Sequence, residues 1–161
     1  MIVYSYNDFG FTFTVDREAK IPEELINLFH ESMSSIDKDL IDYYSTLIFD
    51  KEHSFLLRCE DEPIGYAKIC ENNNYSLLVE IFVKYEFRQL SLGTFILNSI
   101  RKYVKSINSI LRTITLPSDR VAKNFYEASG ITARVLLMEE KRENTRYRPW
   151  RNIVSVSYTH L

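Results

Sequence analysis

Residues Val79 to Lys105 read VEIFVKYEFRQLSLGTFILNSIRKYVK. The stretch opens as an almost unbroken apolar strand, passes through a short polar elbow, and continues as a helix. Leu92, Phe95, Ile96, Ile100, Tyr103, Val104 and Ile107 fall on one side of that helix, and Asn98, Arg101, Lys102 and Lys105 on the other. The strand, taken from Tyr75 to Val83, is apolar at nearly every position, the pattern of a central strand covered on both faces. A strand feeding a helix through a tight elbow leaves the first helical N–H groups pointing outward together, and with the helix dipole they form an anion site. The chain has only 4 Gly in 161 residues, and one of them, Gly93, stands at this elbow. Gly93 either lets the backbone approach a bound anion or lets the helix pack closely on its neighbours.

Working outward from the elbow, strands and helices interleave. Phe11 to Val15 alternates as a first strand. Ile21 to Met33 forms a helix with Pro22 near its start, Glu23 and Glu24 at the positive end of the dipole, and Leu25, Leu28 and Phe29 on one face. Ser35 to Leu47 reads as a second helix, capped by Ser35, with Ile36, Leu40, Tyr44 and Leu47 inward. His53 to Glu71 is a hairpin turning at EDEP, residues 60–63. Beyond the elbow helix, Ile110 to Leu116 is a strand. A helix follows, capped by Ser118 or Asp119 and stopped by Gly130, and Arg134 to Arg142 is a last strand. The order β-α-α-β-β-β-α-β-α-β implies an α/β (α+β) mixed sheet, antiparallel at the hairpin and parallel where a helix crosses over.

Composition bounds the function. Lys+Arg total 20 against 22 Asp+Glu, a net charge of −2, which gives no footprint for nucleic acid or for a polybasic membrane contact. No apolar run reaches the roughly 18 residues that span a bilayer, and the N-terminus lacks a leader pattern, so a cytoplasmic protein is expected. Cys59 and Cys70 are the only cysteines. In the expected hairpin Cys59 faces about Ile64 and Cys70 about His53, too far apart for a disulfide, which fits a reducing compartment. His30, His53 and His160 are scattered, so no metal is expected.

The elbow segment VKYEFRQLSLGTFIL resembles the coenzyme-A pyrophosphate loop of the GNAT superfamily of N-acetyltransferases, with Arg88, Ser91 and Gly93 on the positions of its pattern. The later segment DRVAKNFYEASGI resembles the same superfamily's second signature through Asp119, Ala122, Phe125, Tyr126, Glu127 and Gly130. The resemblance covers roughly residues 10 to 142. Ser91 stands where the first loop Gly is usual, Asp119 where Asn is usual, and Ile131 where Phe is usual.

The resemblance implies a GNAT-like fold, a central mixed sheet of about six or seven strands flanked by about four helices, over residues 1–142. It also implies transfer of an acetyl group from acetyl-coenzyme A, as co-substrate, to a primary amine of a small molecule or peptide by direct attack in a ternary complex. A non-catalytic acyl-coenzyme A-binding or protein-interaction module on the same fold is the alternative. The pantetheine arm would lie along the strand before the elbow, with an amide of Phe82 or Val83 polarising the thioester. Arg88, Gln89, Leu90, Ser91, Leu92, Gly93 and Thr94 would offer backbone N–H groups to the pyrophosphate. Tyr126 matches the tyrosine that protonates the departing sulfur, and an ordinary phenol pKa near 10 makes it a donor at neutral pH. Glu80, the one carboxylate in its strand, either draws the acceptor's proton or pairs with a lysine. Asn124, with Lys123, is placed to meet the nucleotide end, or else forms a solvated helix face.

The acceptor region is acidic and aromatic, with Asp37, Asp39, Asp42, Tyr43 and Tyr44 suited to a cationic amine. The chain is expected to act as a monomer or homodimer. Residues 143–161 form a basic tail, expected to be truncated, and its last segment, 156–161, resembles translated sequencing adapter.

Overall fold

The computed structural model describes residues 3–18, 20–37, 51–136 and 138. Among these, six strands form one sheet in sequence order: β1 (Val3–Asp8), β2 (Phe11–Glu18), β3 (Lys51–Cys59), β4 (Glu62–Glu71), β5 (Ser76–Val83) and β6 (Leu111–Thr113). Three α-helices accompany them: α1 (Glu23–Ile36), α2 (Leu92–Ser106) and α3 (Arg120–Ala128). Pairing is antiparallel from β1 to β5 and parallel between β5 and β6. The described residues up to Ile131 form one compact unit. A second unit, residues 132–161, is described only at 132–136 and 138, where it carries neither helix nor strand.

The sheet is covered on both faces, as the apolar run in β5 predicts. One core joins Phe13, Phe55, Leu57, Ile64, Ala67 and Ile69 to the inward stripe of α2 and to Tyr126 of α3. The other joins Leu56, Tyr66, Cys70, Val79 and Phe82 to Leu25, Phe29 and Met33 of α1. Consecutive residues of β3 therefore serve opposite cores, which is the two-residue period of a strand. Cys59 and Cys70 lie in different cores and both thiols are free.

Several expectations are corrected. The β3–β4 connection is the two residues Glu60 and Asp61, with Glu60 at φ 50, so Cys59 faces Glu62 rather than Ile64 and Cys70 faces Glu52 rather than His53. β1 was not foreseen; it joins β2 through Phe9 and Gly10, both at positive φ, and turns Tyr4 and Tyr6 onto the α2 core. Ser35 caps no helix. It lies inside α1, and its hydroxyl donates to the Ser32 carbonyl at 2.6 Å. The rest of the expected second helix, residues 38–47, lies outside the described residues. The strand expected at Arg134 to Arg142 is not formed at 134–136 or 138, and its remainder, like the tail, lies outside the described residues.

Two features of β5 shape the site. The register against β4 slips at Val79, where Lys68 faces Glu80 but Ile69 faces Leu78. Such a bulge bends the strand and places Val79 and Glu80 consecutively toward α1. On its other side β5 pairs with β6 only from Ser76 to Leu78. Beyond a long 3.4 Å bond from Ile114 N–H to the Leu78 carbonyl, the two strands part, and among the described residues the rest of β5 has an open edge.

Candidate active site

The open edge presents particular backbone groups. Lys84 N–H donates to the Ile64 carbonyl at 2.8 Å, and the Phe82 carbonyl lies against Gly65, so both residues turn their backbone groups toward β4. Strand alternation then turns the amides and carbonyls of Ile81 and Val83 outward to the open edge. Of the two amides suggested by the sequence, Val83 faces the cleft and Phe82 faces its own sheet. Arg88 marks the outward direction, because its Nε donates to the Val83 carbonyl at 3.0 Å while its guanidinium lies 5.7 Å from the ring centroids of both Phe82 and Tyr85.

After β5 a single 3-10 turn, Tyr85–Phe87, leads into the elbow. Gln89 and Ser91 both adopt the left-handed region, at φ 70 and φ 57. The first intrahelical bond of α2 runs from Phe95 N–H to the Ser91 carbonyl at 3.0 Å, and no side chain caps the helix. The amides of Leu92, Gly93 and Thr94 are therefore left over at the positive end of the dipole, just past the open edge. At Gly93 a Cβ would stand 3.4 Å from the Phe125 ring, an ordinary contact, so the packing of α2 on α3 does not by itself demand a glycine there. At Ser91 the strain is in the backbone, where a left-handed L-residue costs about 1–2 kcal/mol and a β-branched one more. Ser91→Val is accordingly expected to lower stability by about 1.5 kcal/mol, read as a shift in urea midpoint, whereas Ser91→Gly should hold or raise it. An unchanged midpoint in the Val variant would show that the elbow can take up another shape.

The parted strands enclose a cleft of about 890 Å³ whose walls come from α1, β5, the elbow, the stretch after β6, and α3. Gln89, Ser91, Leu92, Gly93 and Thr94 line it together with Arg88; Leu90, Asn124 and Glu80 are not among its lining residues. Asn124 and Lys123 are exposed on α3, with Lys123 3.9 Å from Glu127 one helical turn on. Glu80 is buried on the α1 face, where it accepts a 2.6 Å hydrogen bond from Tyr66 OH and stands 3.6 Å from Lys68 Nζ. Burial and the Glu80 carboxylate together push the Tyr66 phenol far above its ordinary pKa. Asp37, at the end of α1, accepts a 3.4 Å bond from Ser118 OH; Asp39, Asp42, Tyr43 and Tyr44 lie outside the described residues.

Tyr126 reaches the same cleft from α3. It is only 5% exposed, and burial pushes its phenol up to about 12, with the nearby Asp119 carboxylate adding to the rise and a hydrogen bond with Thr113 opposing it. Asp119 itself caps α3, accepting from Ala122 N–H at 3.0 Å, which settles the choice between Ser118 and Asp119. Gly130, at φ 81, ends the helix, and Ile131 N–H closes back on the Tyr126 carbonyl at 2.9 Å. Both ends of the short helix carrying Tyr126 are thus fixed. Sequence reading overlooked Thr113 and Thr115; the available signal was their alternation on a strand directly before the tyrosine helix.

The model of the Acetyltransferase (GNAT) family matches residues 22–131, which spans α1 through the end of α3. The chain belongs to this family. The acetyltransferase is similar in structure to a Pyrococcus furiosus protein assigned as an acetyl transferase, with TM-score 0.65 and 20% identity over 81% of this chain and 99% of that one. It is similar also to AAC(6')-Iy in complex with the bisubstrate analog CoA-S-monomethyl-acetylneamine (TM-score 0.54, 16% identity, 81% and 98% of the two chains). A third similar structure is the aminoglycoside acetyltransferase meta-AAC0020 from an uncultured soil metagenomic sample (TM-score 0.62, 14% identity, 81% and 95%). No curated protein matches the chain. Among the described residues of the acetyltransferase, no cluster of His, Cys, Asp or Glu could hold a metal, and no helix is long and apolar enough to cross a membrane.

Proposed function

We propose that this acetyltransferase moves an acetyl group from acetyl-coenzyme A to a primary amine by direct attack in a ternary complex. The observation that carries the reading is the meeting, in one cleft, of an open strand edge, unbonded helix amides and a buried phenol. The coenzyme supplies an activated thioester whose sulfur leaves as a thiolate. The outward amides and carbonyls of Ile81 and Val83 receive its arm as an added strand, and an amide of that edge polarises the thioester carbonyl. Arg88 gives up the Val83 carbonyl for this and offers its charge to the pyrophosphate, beside the free amides of Leu92, Gly93 and Thr94. Tyr126, protonated at neutral pH, hands its proton to the departing sulfur. Glu80 does not line the cleft, so it draws the acceptor's proton only through an intervening water.

We take the acceptor to be a small-molecule amine, a class supported by the names of the aminoglycoside acetyltransferases that share the fold. The free thiols Cys59 and Cys70 support a reducing compartment, the cytoplasm. Calorimetric titration of the full chain with acetyl-coenzyme A tests the reading. The parent should bind with micromolar Kd, and a variant carrying Arg88→Ala and Gly93→Trp should bind at least about a hundredfold more weakly, a loss near 2.7 kcal/mol. No binding by the folded parent would remove the coenzyme from the scheme.

A further inference from the structure

One polar group in the cleft has no part in this scheme. Thr115 follows β6 on the stretch that has parted from β5, and it lines the cleft. Its hydroxyl is buried and meets no hydrogen-bond partner among the described residues. A buried hydroxyl left unpaired carries its whole desolvation cost, so its persistence calls for a partner that arrives from outside.

The direction of the hydroxyl follows from its neighbours. Leu111 packs on the α2 core and Thr113 lies close enough to Tyr126 to influence its phenol, whereas Ile114 and Leu116 belong to the α1 core. Alternation therefore puts Thr115 on the Tyr126 side of the sheet. A chain laid along the open edge of β5 has its groups met on one flank by Ile81 and Val83. Its other flank looks across the gap to residues 114–116, where the polar side chain is Thr115.

We propose that the Thr115 hydroxyl is the second hydrogen-bond partner of an amide in the pantetheine arm, met on the flank away from β5. This rests on the coenzyme reading above. A hydroxyl both donates and accepts, so it serves either the carbonyl or the N–H of that amide. Thr115 is then a positioning residue: it fixes the arm between two walls and so sets where the thioester stands relative to Tyr126.

The test compares parent, Thr115→Val and Thr115→Ser for binding of coenzyme A and of adenosine 3′,5′-bisphosphate, a fragment that lacks the arm. Val keeps the shape and removes the hydroxyl, and should weaken coenzyme A about tenfold while leaving the fragment unchanged. Ser should stay within about twofold of the parent for both probes. The ligand-free Val variant should melt no lower than the parent, because it loses only an unbonded group. Val binding coenzyme A as tightly as the parent would overturn the inference, as would an equal loss for coenzyme and fragment. A parent that binds neither probe would instead remove the coenzyme reading itself, and this is seen before any variant is made.

Discussion

Replacing Tyr126 by Phe is expected to lower the single-turnover rate about a hundred- to a thousandfold while leaving the affinity for acetyl-coenzyme A within about twofold. The change removes one oxygen from a ring that otherwise stays in place, held by α3 with its Asp119 cap and its Gly130 stop. What is lost is the proton for the leaving sulfur, an interaction made only as the thioester breaks. Such a loss falls on the rate and not on ground-state binding. Stability should drop by no more than about 1 kcal/mol, the worth of one hydrogen bond, since only the phenol oxygen is removed. A Phe variant with the parent's single-turnover rate would end the acid role.

The same residue makes a pH statement. Burial pushes the Tyr126 phenol up from 10.0 to about 12, so it stays protonated throughout the neutral range and contributes no alkaline limb to the rate below pH 10. The folded state holds this proton more tightly than the unfolded chain. The associated stability is fully present below pH 10 and is lost as pH rises through about 12. The Phe variant should lack that part of the alkaline fall in unfolding midpoint.

How far such roles were legible beforehand depended on whether a local signal or a long-range pairing decided them. The elbow, α2 and α3 were legible because each carries its own punctuation: the apolar run of β5, the heptad-like stripe from Leu92 to Val104, and Gly130 at φ 81. β1 was missed because its turn uses Phe9 before Gly10 instead of the usual Asn or Asp, with Phe9 itself at φ 52. Ser35 misled because a serine ahead of an apolar pattern signals a cap, yet α1 continues through it to Ile36. The outward facing of Val83 rather than Phe82 could not be read at all from composition. It depends on the slip at Val79, which is set by pairing between strands and not by either strand alone. Thr115 escaped for a similar reason: its lack of a partner exists only once β5 and β6 have parted.

Gly65→Ala should produce the second large effect, a stability loss of about 3 kcal/mol accompanied by a fall in kcat/KM of about a hundredfold. Propensity alone predicts the opposite sign, since Ala in a strand interior is favoured over Gly by roughly 0.5–1 kcal/mol. Sterics decide the matter. A Cβ on Gly65 would stand 2.5 Å from the Phe82 carbonyl oxygen and 3.2 Å from Val83 Cα, both backbone atoms of β5, and 3.3 Å from Leu57 Cδ2 on the other side. A flexible side chain could swing away, but β5 is held between β4 and the α1 core and can relieve the contact only by moving its backbone. That backbone is the edge proposed to receive the coenzyme arm, directly opposite Gly65 at Val83. A displacement near 1 Å there misaligns the thioester with Tyr126, which is why a change on the neighbouring strand reaches the chemistry. Urea unfolding and steady-state kinetics on the same preparation read both effects. A destabilised variant of full activity would show that β4 yields instead of β5, and an unchanged midpoint would show that the two strands are not locked together at this point.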